Sequence, residues 1–87
     1  VPADPMAWLL SATLARRLGD LPRARNDIAE ALKRDPYAAD ILIESGNIAI
    51  MSGDLAGARA FWSDVVARSP GTPQARAAAQ ALNQNPE

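Results

Sequence analysis

Gly19-Asp20-Leu21-Pro22-Arg23-Ala24-Arg25 recurs thirty-four residues later as Gly53-Asp54-Leu55-Ala56-Gly57-Ala58-Arg59. In each copy the glycine suits a left-handed helix stop and the aspartate suits the cap of a following helix. Working outward in the same phase, Ser11 falls on Ser45, Ala15 on Ala49, Arg34 on Arg68 and Pro36 on Pro70. Chance supplies scattered identities, but it does not readily put Gly-Asp, Ala and Pro in one register. A unit of this length, two helices joined by a tight turn, cannot bury its apolar stripe alone. Stacked units build the core together. Pro2, Pro36 and Pro70 are evenly spaced, so Pro2 holds the place where a preceding unit ends. The chain therefore reads as the C-terminal part of a longer array with earlier hairpins upstream of Val1.

The local signals give two helices per unit. Asp4-Pro5 and Thr72-Pro73 each set a capping oxygen before a proline at the first helical position, where the missing N–H costs nothing. Ala7, Ser11, Leu14, Ala15 and Leu18 then recur at helical spacing and predict one buried stripe. Leu21, Ala24, Ile28, Ala31 and Leu32 predict the second stripe, and Pro36 stops that helix. The order repeats as a helix from Ile41 to Ser52, a turn at Gly53-Asp54, and a helix from Leu55 to Arg68. A last helix over 73–83 has Ala75, Ala78, Ala79 and Leu82 on one side and Gln74, Arg76, Gln80 and Gln84 among its alanines, as expected of a solubilising cap. The expected division is one domain over 1–87, with repeats at 5–38 and 39–72 and a capping helix at 73–83. No strand pattern occurs. The fold class is all-α, a stack of about five helices.

These residues resemble the tetratricopeptide repeat family, whose signature runs aromatic-x-x-Leu-Gly-x-x-Tyr, then Ala, then Ala-x-x-x-Phe, then Pro. The first unit reads Trp8-x-x-Ser11-Ala12-x-x-Ala15, then Ala24-x-x-x-Ile28, then Pro36; the second reads Leu42-x-x-Ser45-Gly46-x-x-Ala49, then Ala58-x-x-x-Trp62, then Pro70. Ser replaces Leu and Ala replaces Tyr in both units, which trims the core. The resemblance covers nearly the whole chain and implies a right-handed superhelical stack. It also implies a concave groove lined by the first helix of each hairpin, where partner peptides bind. Carried over by position, that face comprises Met6, Leu9, Thr13, Arg16 and Arg17, followed by Asp40, Ile43, Glu44, Asn47, Ile50 and Met51. Helical spacing independently puts these residues on one side. Leu9, Ile43, Ile50 and Met51 would form an apolar floor, and Arg16, Arg17, Asp40 and Glu44 a charged rim, suited to an amphipathic helix or an extended apolar segment. The competing reading is structural: the same apolar residues pack on neighbouring repeats or a second copy, and the chain caps or self-associates within a larger protein. Within the family, chaperone-binding members grip a C-terminal carboxylate on this face. Asn47 matches that pattern, whereas Leu9 and Ile43 stand where a lysine is wanted.

Composition narrows the chemistry. There is no cysteine and no histidine, so disulfides, thiolate sites and imidazole bases are excluded within these residues. The serines have no histidine to activate them, and Gly53-x-x-x-Gly57 lacks the lysine of a phosphate loop. No catalytic residue, metal ligand or cofactor is expected. A net charge of −1 gives no basic footprint for nucleic acid, so a helical-repeat RNA reader is a remote alternative. No run approaches a membrane span. Arg23, Arg25, Lys33, Arg34, Arg59 and Arg68 interleave with Asp27, Glu30, Asp35 and Asp64 on the second helices, which reads as a solvated, salt-bridged face. Eight arginines against one lysine, with nineteen alanines, lean toward a GC-rich bacterial coding sequence. The absence of cysteine fits cytoplasm and periplasm alike.

Overall fold

Most helices begin where a side-chain oxygen holds a free backbone N–H. The computed structural model describes residues 3–87. They form α1 (Pro5–Arg17), α2 (Leu21–Arg34), α3 (Ala39–Met51), α4 (Leu55–Arg68) and α5 (Pro73–Gln84). Asp4 accepts from the Met6 N–H at 2.9 Å, Asp20 from Arg23 at 3.3 Å, Asp54 from Gly57 at 2.8 Å and Thr72 from Ala75 at 3.1 Å. Each such cap contributes about 1 kcal/mol. Pro2, and the preceding-repeat phase it marks, lies outside the described residues.

Helix α3 is the exception. Its N-cap is Ala38, which has no side-chain oxygen. It starts two residues before the expected Ile41 because no polar residue signals its entry. The two tight turns follow the glycine expectation. Gly19 and Gly53 take φ of 80° and 83°. The Asp20 N–H then donates to the Ala15 carbonyl, and Asp54 to Ala49, both at 2.9 Å. A side chain at either glycine would be strained in this region.

The core divides into two clusters. The first joins Ala12 and Ala15 of α1 with Ala24, Ile28 and Ala31 of α2 and with Ile41 and Ile48 of α3. The second joins Leu42, Ala58, Trp62, Val65 and Ala78, so α5 closes it. Helix α1 touches α3 and α3 touches α5, whereas α2 and α4 do not meet. The first helices are therefore neighbours along one side, the inner side, and the second helices stand apart along the outer side. No strand occurs among the described residues.

Two expectations need correction. Ala15 of the first stripe is buried, with Ala12 beside it, but Leu14 and Leu18 are 56% and 72% exposed. Both point away from α2 and α3, toward a side of α1 that no described element covers. The second concerns the outer face, which is less solvated than its charges suggest. Asp27 is buried and accepts from the Ser11 hydroxyl at 2.6 Å, binding α2 to α1. Arg59 donates to the Leu82 and Asn85 carbonyls at 3.0 and 2.6 Å, closing the C-terminal end of α5. Arg34 lies over the Trp8 ring at 5.1 Å and Arg68 over Tyr37 at 3.9 Å. Lys33–Glu30 and Arg68–Asp64 remain surface pairs of the expected kind, at 2.9 and 2.7 Å.

Candidate protein-interaction face

The inner face is built from side chains that α1, α3 and α5 leave between their contacts. On α1, Leu9 is half-buried against the first core cluster. Thr13 and Arg16 are partly covered and Arg17 is exposed. On α3, Asp40 and Met51 are exposed, Asn47 is partly exposed, and Ile43 and Ile50 rest on the second cluster, as does Ala81 of α5. Of the four apolar residues expected as a floor, Leu9, Ile43 and Ile50 pack against the core and Met51 is exposed.

The charged rim is rearranged. Glu44 is buried, 6% exposed, and bound from two sides by α1. The Arg16 guanidinium forms an ion pair with it through Nε, and a second guanidinium nitrogen donates at 3.2 Å. The Thr13 hydroxyl donates to the same carboxylate at 3.1 Å. Three of the expected groove residues thus form one interhelix junction. Arg17 and Asp40 remain as the free charges of the face. The Asn47 amide has no side-chain hydrogen bond among the described residues.

Helix α5 adds a part that position matching had left out. One further step of thirty-four residues takes Asp40, Ile43, Asn47 and Ile50 to Gln74, Ala77, Ala81 and Gln84. Ala81, like Ile43 and Ile50, packs against the second core cluster, and the phase continues onto α5 as small side chains flanked by amides. Extending the repeat phase past the second unit would have revealed it.

A separate concavity of about 300 Å³ lies on the other side, between α2, α3 and α4, lined by Arg25, Ile28, Leu32, Ser45, Ser52 and Phe61 among others. Arg25 donates to the Ser52 hydroxyl at 3.2 Å across its rim. Among the described residues no group of His, Cys, Asp or Glu is arranged to hold a metal ion, and no helix is long and apolar enough to cross a membrane.

Comparison with known proteins agrees with this architecture. Residues 9–73 match the family model described as Tetratricopeptide repeat. None of the curated proteins matches the chain.

Proposed function

From the premise that this chain belongs to the tetratricopeptide repeat family, we propose that its inner face binds an apolar segment of a partner protein and that the domain is a non-enzymatic scaffold. Repeats of this family generally mediate protein–protein interaction. The observation that carries the finer reading is the pairing of Met51, 50% exposed, with the unpartnered Asn47 amide one helical turn earlier on the same helix. An apolar side chain of the partner would rest on Met51, Ile50 and Ile43, and Asn47 would hold its backbone. With Arg16 neutralised by Glu44, the face does not select for a strongly charged ligand. Arg17 and Asp40 would orient the segment from opposite ends of their helices.

The test uses side chains outside the core, since Ile43 and Ile50 support folding as well as the face. Peptides selected from a random library on the wild-type chain are titrated against an Asn47→Ala, Met51→Glu variant. The expected result is apolar peptides that bind the wild type and bind the variant at least tenfold more weakly, with unchanged helical circular dichroism. Selected peptides that bind both proteins equally would sink the reading.

A further inference from the structure

Two concavities along the second helices share an arginine at the same place in the repeat. The cleft between α2, α3 and α4 includes Arg25 and Ala29 in its lining. The other concavity, of about 600 Å³, lies on α4 and includes Arg59, Ser63 and Glu87. Arg59 stands thirty-four residues after Arg25, and Ser63 thirty-four after Ala29. The two arginines differ in what they hold.

At Arg59 the chain supplies the ligand itself. The guanidinium donates to the Leu82 and Asn85 carbonyls at 3.0 and 2.6 Å, and the Glu87 carboxylate stands 3.7 Å from its Nε. Arg25 donates only to the Ser52 hydroxyl, at 3.2 Å, and meets no carboxylate among the described residues. That hydroxyl donates its own proton to the Ile48 carbonyl at 2.8 Å, so towards Arg25 it is a neutral acceptor. It holds the guanidinium at the rim without balancing its charge, and a guanidinium has further N–H donors to offer. The acid lining the same cleft, Asp54, is engaged elsewhere: it accepts from the Gly57 N–H at 2.8 Å, and the positive end of α4 offsets its charge.

Inside this rim the cleft is apolar. Helices α2 and α4 do not meet, and α3 forms the floor between them, with Ile28 and Leu32 on one wall and Phe61 on the other. Its volume of about 300 Å³ is at the lower end for a whole small-molecule ligand and suits a single large side chain. The polar half of the occupant follows from Arg59, which takes main-chain carbonyls and an acidic side chain. We propose that the cleft is a second protein-binding site, away from the inner face, for an extended acidic and apolar segment of a partner. A large apolar side chain enters between Leu32 and Phe61, and a neighbouring Asp or Glu side chain pairs with Arg25, as Glu87 does with Arg59.

The probe is a blocked peptide, acetyl-Gly-Phe-Ala-Glu-Gly-amide, whose Phe and Glu share one face of an extended segment. It is titrated into the isotope-labelled whole chain and followed by backbone amide shifts. Saturable shifts are expected at Ala29, Leu32, Ser52 and Phe61, and the peptide with Gln in place of Glu should bind about threefold more weakly. Arg25→Gln should erase that difference. Ala29→Trp, at an exposed position on the cleft wall, should fill the cleft and abolish binding with helical circular dichroism unchanged. Shifts confined to Ile43, Asn47 and Met51, no shifts at all, equal binding of the two peptides, or undiminished binding by the folded Ala29→Trp protein would each overturn the proposal.

Discussion

Gly46 and Trp62 approach closely between the two helices of the second hairpin, and exchanging one residue there gives a calculable result. A Cβ built on Gly46 would stand 2.6 Å from Trp62 Cδ1 and 2.8 Å from Cε2, and closer still to Nε1. Trp62 is 2% exposed, so its ring has nowhere to retreat. Gly46→Ala gains about 1 kcal/mol of helix propensity. It loses about 3 kcal/mol to overpacking, the upper part of the usual range, because the ring is both rigid and enclosed. The net loss is about 2 kcal/mol, a fall in Tm of roughly 8–16 °C for a chain of this size. The same two positions in the first hairpin hold Ala12 and Ile28, both buried: a larger first-helix residue facing a smaller second-helix one. That exchange supplies the control. Trp62→Ile alone leaves a cavity costing about 2–4 kcal/mol. The Trp62 N–H has no hydrogen-bond partner, so only packing is lost. In the double variant the new methyl enters the vacated space, and the combined loss should fall short of the sum by about 1–3 kcal/mol. Urea unfolding followed at 222 nm measures all four proteins. Additivity within about 0.5 kcal/mol, or a Gly46→Ala protein as stable as wild type, would refute the packing argument.

Two further outcomes follow from the polar contacts. Ser11→Ala removes the hydroxyl that donates to the buried Asp27 at 2.6 Å, leaving the Asn26 amide at 3.3 Å and the Arg23 guanidinium at 3.6 Å. It should cost about 1–3 kcal/mol, with Asp27→Asn recovering part of the loss; an unchanged urea midpoint would count against the bond. Glu30 has its pKa lowered chiefly by the hydrogen bond from Lys33. A depressed carboxylate contributes stability that is present above the ordinary carboxylate range and lost as pH falls through the lowered value. Its exposure keeps that contribution small. Lys33→Ala should raise the Glu30 midpoint in a carboxyl-carbon NMR titration, and no movement would contradict the assignment.

The sequence carries the parts of this fold that depend on near neighbours. The cap-and-stop signals Asp4-Pro5, Gly19-Asp20, Gly53-Asp54 and Thr72-Pro73 act within a few residues, and each marks the boundary it predicts. What stayed hidden depends on residues far apart in the chain. Asp27 looks like a surface charge beside Arg23 and Glu30, and only Ser11, sixteen residues earlier, makes it an interior acceptor. Glu44 reads as a rim carboxylate until Thr13 and Arg16 arrive from thirty-one and twenty-eight residues away. Periodicity also grouped Leu14 and Leu18 with the packing residues of α1, and there it was wrong: both are exposed, because helical spacing marks an apolar stripe and not what packs on it.

The two junctions between first helices differ in a way that bears on both assembly and the inner face. Between α3 and α5 the shared cluster is apolar, with Leu42 and Ala78 in it and Ile43, Ile50 and Ala81 against it. Such a surface tolerates a slipped or exchanged neighbour at modest cost. Between α1 and α3 it is a buried carboxylate held by one guanidinium and one hydroxyl. A neighbour lacking either donor, or shifted by one turn, strands the Glu44 charge, and breaking a buried pair costs about 3–5 kcal/mol. The polar junction therefore fixes which helix lies beside α3 and in what register. The same arrangement removes Arg16 and Glu44 from the charges the inner face can offer. If that face is the binding site, its specificity comes from the shape of the Ile43–Ile50–Met51 floor and the Asn47 amide, with Arg17 and Asp40 setting direction.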